Sequence, residues 1–311
     1  MTDNISEFLP VAGVRLGTTC AGIKKPDHRD LVLMELSEGT QTAAVFTQNA
    51  FCAAPVIKAR QHLAELMPRY LLINTGYANA GTGKRGLEDA TQCCEALASL
   101  TGCRVEEVLP FSTGVIAEPL PVDTISRALP DIVEQLQLTG WADAAWGIMT
   151  TDTRPKLVSR AITLEGRELT ITGMAKGAGM IRPDMATMLA FITTDALIKP
   201  GLLQDCLHDA VDQSFNRISV DGDTSTNDAC VLCATGKSGI EISTSGLAYD
   251  AFRQGLTEVC MELAKGIVRD GEGATKLINV QVNAGRNPAE CLAVAYTIAP
   301  VSYTHLRAHE T

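Results

Sequence analysis

The stretch KLVSRAITLEGRELTITGMAKGAGMIRPDMATMLAFITTDA, residues 156–196, gives the clearest indication of the fold. Apolar and polar residues alternate on both sides of a turn at residues 165 and 166, which is typical of an antiparallel hairpin. After a glycine-containing turn and Pro183, residues 185–192 form an apolar run as long as a buried strand. The stretch therefore predicts adjacent strands of one sheet. Polar side chains surround the last strand: Lys176, Arg182, Asp184, Thr187 and Asp195.

Predicted strands and helices alternate along the rest of the chain. Apolar runs predict strands at residues 31–36, 42–46, 70–74, 108–112, 229–234, 274–282 and 291–298. Apolar residues three or four positions apart predict helices at residues 54–67, 87–100, 123–139, 201–217 and 247–269. Hairpins combined with helical connections favour a mixed α/β architecture of layered sheets and helices.

Charge and composition restrict the classes of function. The formal net charge is −10 at pH 7 and the pI is about 5.0, so nucleic acids and anionic membranes would repel the chain. The sequence shows no secretory signal and no membrane-spanning apolar run, and the ten cysteines are expected to be reduced thiols. We therefore predict a cytoplasmic protein without a nucleic-acid or membrane partner. Residues 300–311, PVSYTHLRAHET, are polar and unpatterned, and we interpret them as a foreign tail outside the fold.

Histidine and cysteine patterns give little support for a metal site or a hydrolase triad. The histidines before the tail are His28, His62 and His208, and their spacing fits neither zinc ligands nor a G-x-S-x-G hydrolase. We expect their side chains to be solvated. Cys230 and Cys233 fall in the apolar run ACVLCA and are interpreted as part of a buried strand.

Two further patterns have plain interpretations. GTGKRG at residues 81–86 fits G-x-G-x-x-G, but it begins too far beyond the preceding strand, so a loop is favoured over a nucleotide site. Asp221, Asp223 and Asp228 resemble a cation-binding group, and we interpret them as turn and capping residues.

A threonine can support catalysis without histidine. When a chain is cut immediately before a threonine, the hydroxyl becomes a nucleophile and the new α-amine, with a pKa of about 7.7–8.0, becomes its base. The pair Ala186-Thr187, close to Pro183 and to flexible glycines, meets the demands of such a self-cleaving bond. By pattern alone, an ordinary β-branched strand residue is the favoured interpretation of Thr187.

A family resemblance changes that balance. KGAGMIRPDMATMLAFITTDA closely resembles the self-cleavage segment of the ornithine acetyltransferase (glutamate N-acetyltransferase) family, and motifs in that family's order cover residues 10–299. The other motifs are AAVFTQNAFCAAPV (43–56), NTGYANAGTG (74–83), FSTGVIAEPLP (111–121), MTTDTRPK (149–156), SFNRISVDGDTSTNDA (214–229) and RDGEGATK (269–276). The resemblance implies the family's layered αββα sandwich, with the C-terminal part missing from this chain.

The resemblance also implies the reaction. A cut between Ala186 and Thr187 would give an α chain of residues 1–186 and a β chain of which residues 187–299 are present. Thr187 would take the acetyl group from N-acetylornithine as an ester and pass it to glutamate, in arginine biosynthesis. Thr113 and Gly114 match the family's oxyanion hole.

Substrate contacts, cofactors and assembly are further implications. Thr150, Lys176 and Glu272 match positions that contact substrate in the family. The family uses no metal or bound cofactor, and the sequence leaves open whether acetyl-CoA is also a co-substrate. The implied assembly is a heterotetramer of two α and two β chains. Two alternatives stay open: an N-terminal-nucleophile amidohydrolase or aminopeptidase, and an inactive truncated fragment.

Overall fold

The computed structural model describes residues 8–24, 26–164, 166–181 and 188–308, with side chains through residue 299. Its strands are β1 (Val14–Thr19), β2 (Leu31–Leu36), β3 (Gln41–Phe46), β4 (Tyr70–Tyr77), β5 (Val108–Val115), β6 (Lys156–Leu164), β7 (Arg167–Lys176), β8 (Leu189–Thr194), β9 (Leu197–Ile198), β10 (Ala229–Ala234) and β11 (Glu241–Ile242). Its α-helices are α1 (Ala54–Glu65), α2 (Gly83–Thr101), α3 (Val122–Glu134), α4 (Trp141–Gly147), α5 (Pro200–Gln213), α6 (Leu247–Arg269) and α7 (Pro288–Ala308).

Two mixed sheets organise the described part of the chain. The first sheet has the strand order β1-β2-β4-β5, with β4 and β5 parallel and the other neighbours antiparallel. The second sheet has the order β3-β10-β8-β7-β6, with β8 and β10 parallel and the other neighbours antiparallel. The hairpin predicted from residues 156–176 is β6 and β7, and the apolar run after it continues into β8.

Successive side chains of the strands face different layers, as the period of two in a strand requires. Phe191 faces the first sheet, where its ring meets Phe111 edge to face with the ring centroids 5.1 Å apart. The next residue, Ile192, packs in the core beneath α5 and α6. The outer face of the first sheet packs against α2 and α3. The layers are therefore helix, sheet, sheet and helix, which confirms the predicted αββα sandwich.

The buried cysteines agree with the sequence-based prediction, whereas one histidine does not. All ten cysteines are free thiols, and Cys230 and Cys233 are buried in β10 as predicted. The prediction for His62 was wrong. Its side chain is 6% exposed and its Nδ1 lies 2.8 Å from the Val108 carbonyl oxygen, because this face of α1 packs on β5.

The structure contradicts two predicted strands near the end of the chain. Residues 274–282 form no strand, and Leu277 and Ile278 in this segment are exposed. Residues 291–298 lie within α7 instead of a strand. Asn287 and Pro288 mark the start of α7. The Asn287 side-chain oxygen accepts a hydrogen bond from the Glu290 amide, and proline suits the first helical position. Helix α7 runs on through Ala308, so its backbone shows no boundary at residue 300.

Candidate active site

Two strand ends meet at the predicted site. Thr113 lies near the end of β5 in the first sheet, and Lys176 is the last residue of β7 in the second. The Lys176 ammonium donates a hydrogen bond to the Thr113 hydroxyl, with Nζ and Oγ1 3.2 Å apart. Both side chains are buried. A predicted oxyanion-hole residue and a predicted substrate contact are therefore in direct contact.

Burial dominates the electrostatics of Lys176. It lowers the pKa of this ammonium, and the charge of Lys156 acts in the same direction. The carboxylates of Asp152, Asp228 and Glu272 oppose the shift without cancelling it. An ammonium held under these conditions is stabilised by a further anionic partner, such as a substrate carboxylate or an oxyanion.

Gly114 occupies a position that requires glycine. Its φ angle is +135°, and a Cβ placed there would lie 2.3 Å from the carbonyl carbon of Gly76 on the neighbouring strand β4. The pairing of β4 with β5 also shifts register between Gly76 and Tyr77. Such irregularities re-aim the backbone at the ends of strands. The predicted oxyanion-hole residues thus lie on an irregular strand end.

An ionic cluster of Asp152, Lys156 and Asp270 lies beneath Lys176. The Lys156 Nζ is 2.5 Å from Asp152 Oδ1 and 2.6 Å from Asp270 Oδ2, and it also donates to the Gly177 carbonyl at 3.2 Å. Asp152 Oδ1 accepts a second hydrogen bond, from the Gly177 amide at 2.7 Å. Both polar groups of the peptide backbone at Gly177, next to Lys176, are therefore held by this cluster.

The cluster keeps its two carboxyl groups ionised. Burial favours a higher pKa for Asp152, but the charges of Lys176 and Lys156 and the Gly177 amide hold this pKa below its ordinary value. Asp270 behaves similarly: burial is outweighed by hydrogen bonds from Lys156 and Thr153, so its pKa is also lowered. Two lysines and two aspartates therefore share one buried region with balanced charge.

The other predicted substrate contacts adjoin the same cluster through their backbone. The Thr150 amide donates to Asp152 Oδ2 at 3.2 Å. The Glu272 amide donates to the Ala178 carbonyl at 2.8 Å, and the Glu272 carboxyl group lies against Gly179, where a Cβ would be 2.8 Å from it. The structure thus brings together four of the residues predicted for the site: Thr113, Thr150, Lys176 and Glu272.

Asp228 is a buried carboxyl group at the start of β10. Its Oδ1 accepts a hydrogen bond from the Met188 amide at 2.9 Å, while its Oδ2 has no hydrogen-bond partner. Burial raises the pKa of Asp228 well above its ordinary value, although the Met188 amide, the nearby Ser225 hydroxyl and the charge of Lys176 act against this shift. Its interpretation as a turn or capping residue was wrong. Asp221, by contrast, accepts from the Met180 and Ile181 amides in a turn.

The predicted nucleophile and scissile bond lie outside the described residues, as do Arg182 and Asp184. The description resumes at Met188, whose amide nitrogen belongs to the peptide bond with Thr187. That nitrogen is the donor to Asp228. The site is therefore defined up to one peptide bond from the predicted nucleophile.

Sequence reasoning missed the roles of the ionic cluster and of Asp228. Lys156 and Asp270 are 114 residues apart in the chain, so no local pattern links them. Their signal was present in the quoted motifs: MTTDTRPK contains Asp152 and Lys156, and RDGEGATK contains Asp270. Each of these residues alone resembles an ordinary surface charge.

The described residues contain neither a metal-binding cluster nor a membrane-spanning helix. In that part of the chain, no group of three or more His, Cys, Asp or Glu side chains could hold a metal ion. None of the described helices is both long and apolar enough to cross a membrane. What the geometry offers is an ammonium, a hydroxyl and several carboxyl groups at one buried strand end, which can bind a polar substrate and stabilise an oxyanion.

Comparison with known proteins places the chain. It is 55% identical over 292 residues to the arginine biosynthesis bifunctional protein ArgJ of Pseudomonas syringae pv. tomato, which covers 93% of this chain and 72% of that protein. The crystal structure of the arginine biosynthesis bifunctional protein ArgJ of Bacillus halodurans is 31% identical, covers 57% of this chain and 92% of its own, and superimposes with a TM-score of 0.52.

A more distant structure has the same kind of fold. The L-aminopeptidase D-Ala-esterase/amidase of Ochrobactrum anthropi, described as a variant of the Ntn hydrolase fold, is 10% identical with a TM-score of 0.52. The alignment covers 84% of this chain and 85% of that one. The sequence model of the ArgJ family matches residues 15–305. The chain therefore belongs to the ArgJ family.

Proposed function

We propose that this chain is an acetyltransferase of arginine biosynthesis that moves an acetyl group from N-acetylornithine to glutamate. The observation that carries the proposal is the buried contact between Lys176 and Thr113. It joins a cation suited to a substrate carboxylate to a hydroxyl suited to an oxyanion. Neither residue requires histidine for this role.

The first step is maturation of the chain. The Thr187 hydroxyl attacks the carbonyl carbon of Ala186, the peptide C–N bond breaks, and the nitrogen takes the hydroxyl proton. Water then hydrolyses the resulting ester, which leaves a carboxylate on Ala186 and a free α-amine on Thr187. The products are the segments 1–186 and 187 onward.

Acetyl transfer then uses the new terminus twice. The α-amine takes the Thr187 hydroxyl proton as the oxygen attacks the acetyl carbon of N-acetylornithine, and the proton passes to the departing ornithine amine as the C–N bond breaks. The amine of glutamate next attacks the acetyl ester, which releases N-acetylglutamate and restores the hydroxyl. Thr113 and Gly114 stabilise the oxyanion in both steps, and one such donor is typically worth about 10²–10³ in rate.

Substrate selection follows from charge. Lys176 pairs with a substrate carboxylate, which both amino acids carry, and Glu272 at the more exposed side of the site pairs with an ammonium group. Thr150, whose amide donates to Asp152, contributes a hydroxyl to substrate binding. No metal or bound cofactor takes part in this scheme.

The test is mass analysis of the chain after incubation with N-acetylornithine. We expect a fragment that begins at Thr187 and carries one acetyl group, and neither the cut nor the adduct in Thr187→Ala. A cut chain that releases acetate without an acceptor would identify an amidohydrolase instead. An uncut chain without an adduct would refute the proposal. Acetyl-CoA in place of N-acetylornithine decides whether it also serves as donor.

A further inference from the structure

A buried asparagine next to the second sheet holds the strand end that carries the predicted oxyanion hole. Asn227 lies two residues before β10 and is 7% exposed. Its side-chain nitrogen donates one hydrogen bond to the Ser112 carbonyl at 2.9 Å and another to the Ala78 carbonyl at 2.7 Å. Ser112 belongs to β5, and Ala78 directly follows β4. This one side chain therefore joins the second sheet to two strand ends of the first.

The Ser112 carbonyl needs such a donor because β5 is an edge strand. β5 is the last strand in the order β1-β2-β4-β5, so alternate carbonyl groups of β5 point away from β4 and must find partners outside the sheet. His62 supplies the partner of the Val108 carbonyl, with Nδ1 2.8 Å away. Ser112 lies four residues further along, and the period of two in a strand puts its carbonyl on the same edge, where Asn227 supplies the donor.

The two hydrogen bonds hold the predicted oxyanion-hole pair, residues 113–114, from both sides. Ser112 comes directly before this pair, and its carbonyl shares a rigid peptide plane with the amide of the next residue. Val115 comes directly after the pair, and its carbonyl accepts from the Ala78 amide at 2.9 Å. Because Asn227 holds the carbonyls of both Ser112 and Ala78, it fixes the backbone before the pair and, through Ala78, the backbone after it.

Further hydrogen bonds set the orientation of the amide itself. The Thr226 hydroxyl donates to Asn227 Oδ1 at 2.6 Å, so the amide nitrogen is turned toward the two carbonyls. The Asn227 backbone amide donates to the Ser225 hydroxyl at 3.1 Å, and the Thr226 carbonyl accepts from the Ala53 amide at 2.9 Å. An asparagine side chain has two hydrogens to donate, and both are used here while its oxygen accepts. The pattern of contacts therefore matches the chemistry of this residue type.

We propose that Asn227 is a positioning residue of the oxyanion hole, whose amide fixes the backbone of residues 112–115 so that the donors of Thr113 and Gly114 are aimed at one point. This inference rests on the proposed function. Asn227 acts through the backbone of β5. The Thr113 hydroxyl oxygen already accepts from Lys176, so its own hydrogen can be directed at the oxyanion, and that direction depends on where the strand end lies.

A positioning role predicts a specific kinetic effect. The oxyanion forms only on the way through the tetrahedral intermediate, so a misplaced donor lowers kcat and leaves substrate binding nearly unchanged. Removal of one oxyanion donor typically costs about 10²–10³ in rate, and a displacement of about 1 Å can cost about 10². We therefore expect loss of the Asn227 amide to lower kcat of acetyl transfer about 10- to 100-fold, with KM close to that of the unmodified chain.

Asn227→Leu tests the role, because leucine has nearly the same size and has no hydrogen to donate. Asn227→Asp is a second variant, which keeps an acceptor for the Thr226 hydroxyl and removes the amide hydrogens. The matched control is Gln204→Met. Gln204 on α5 also donates from its side-chain amide to a strand carbonyl, that of Ala44 in β3, but α5 packs on the face of the second sheet turned away from the first.

The measurement is the steady-state rate of N-acetylglutamate formation from N-acetylornithine and glutamate, expressed per folded and cut molecule, with folding checked by circular dichroism. A lower kcat with an almost constant KM in folded Asn227→Leu, or in Asn227→Asp where the leucine variant does not fold, supports the inference if Gln204→Met has unchanged kinetics.

The other outcomes separate this inference from the proposed function. An unchanged kcat in folded Asn227→Leu, a loss confined to KM, or an equal loss in Gln204→Met overturns the inference and leaves the proposed function standing. If neither Asn227 variant gives a folded and cut chain while Gln204→Met does, Asn227 is needed for the structure itself and the inference also falls. If the unmodified chain forms no N-acetylglutamate, the proposed function falls and this inference falls with it.

Discussion

Lys156→Met isolates the energetic contribution of the ionic cluster beneath the site. The Lys156 ammonium is buried and lies 2.5 Å and 2.6 Å from oxygens of Asp152 and Asp270. Methionine fills much of the same volume without charge, so the substitution leaves two buried carboxylates without their shared partner. We expect a large loss of stability, since removal of one member of a buried ion pair typically costs about 3–5 kcal/mol.

An independent route gives a similar magnitude. The variant can relieve the repulsion by protonating one carboxyl group, and at about pH 7 this costs about 4 kcal/mol for an aspartate with an ordinary pKa near 3.9. At about pH 5 the same protonation costs only about 1.5 kcal/mol. In the unmodified chain, the pKa values of Asp152 and Asp270 are lowered, so their stabilising contribution is present above the ordinary pKa and is lost only as the pH falls through the lowered values.

Urea denaturation at the two pH values measures the effect. We expect Lys156→Met to lower the free energy of unfolding by about 4 kcal/mol at about pH 7 and by about 1.5 kcal/mol at about pH 5. Lys84→Met is the control, because Lys84 pairs with Glu88 at 3.7 Å on the exposed surface of α2 and should matter by about 0.5 kcal/mol or less. A loss below about 1 kcal/mol at neutral pH, or a loss that does not depend on pH, would refute the reasoning.

Two further predictions follow from backbone geometry and thiol burial. Gly114→Ala should lower both stability and acetylation, because residue 114 has a φ of +135° and the new Cβ would lie 2.3 Å from the carbonyl carbon of Gly76. We expect the free energy of unfolding in urea to fall by about 2 kcal/mol or more. Unchanged stability would show that β4 moves aside freely. In the native protein, Cys20 should react first with a thiol reagent, since it is exposed. Cys94 and Cys233 are buried, and burial raises the pKa of Cys233 to about 12, so both thiols should react only on unfolding. Rapid labelling of Cys233 in the folded chain, followed by mass analysis, would contradict its burial.

The sequence predicted those elements that bury one regular face. The helix at 247–269 has the bounds of α6, and the strand at 229–234 has those of β10. In both, apolar residues recur at the period of the element and pack in the core beneath the second sheet. The predicted strand at residues 291–298 failed because an apolar run alone does not distinguish a strand from a helix. The capping residue Asn287 and the following Pro288 indicate that this segment is a helix.

Local sequence patterns predicted less of the candidate site than of the fold. The contact between Lys176 and Thr113 joins positions 63 residues apart, and neither residue is unusual in its own neighbourhood. Family resemblance supplied both residues, whereas it gave no role to Lys156 or Asp228. Those two emerge from burial and hydrogen bonding, since a buried charge must find partners and a buried oxygen without one is an exception.

The order of the strands explains how the proposed cut before Thr187 would be compatible with a stable protein. In the second sheet, β8 and β10 come from the segment after the cut, and they lie between β3 on one side and β7 on the other, both from the segment before it. The β7–β8 and β3–β10 pairs therefore join the two segments, and the ion pair between Lys156 and Asp270 joins them again beneath the site. The proposed cleavage would free an α-amine and a carboxylate at one point of the chain, while these contacts across the two segments would remain. The same interleaving brings Lys176 from the first segment and Asp228 from the second close enough for their charges to interact, so both segments would still contribute to one site after the proposed cut.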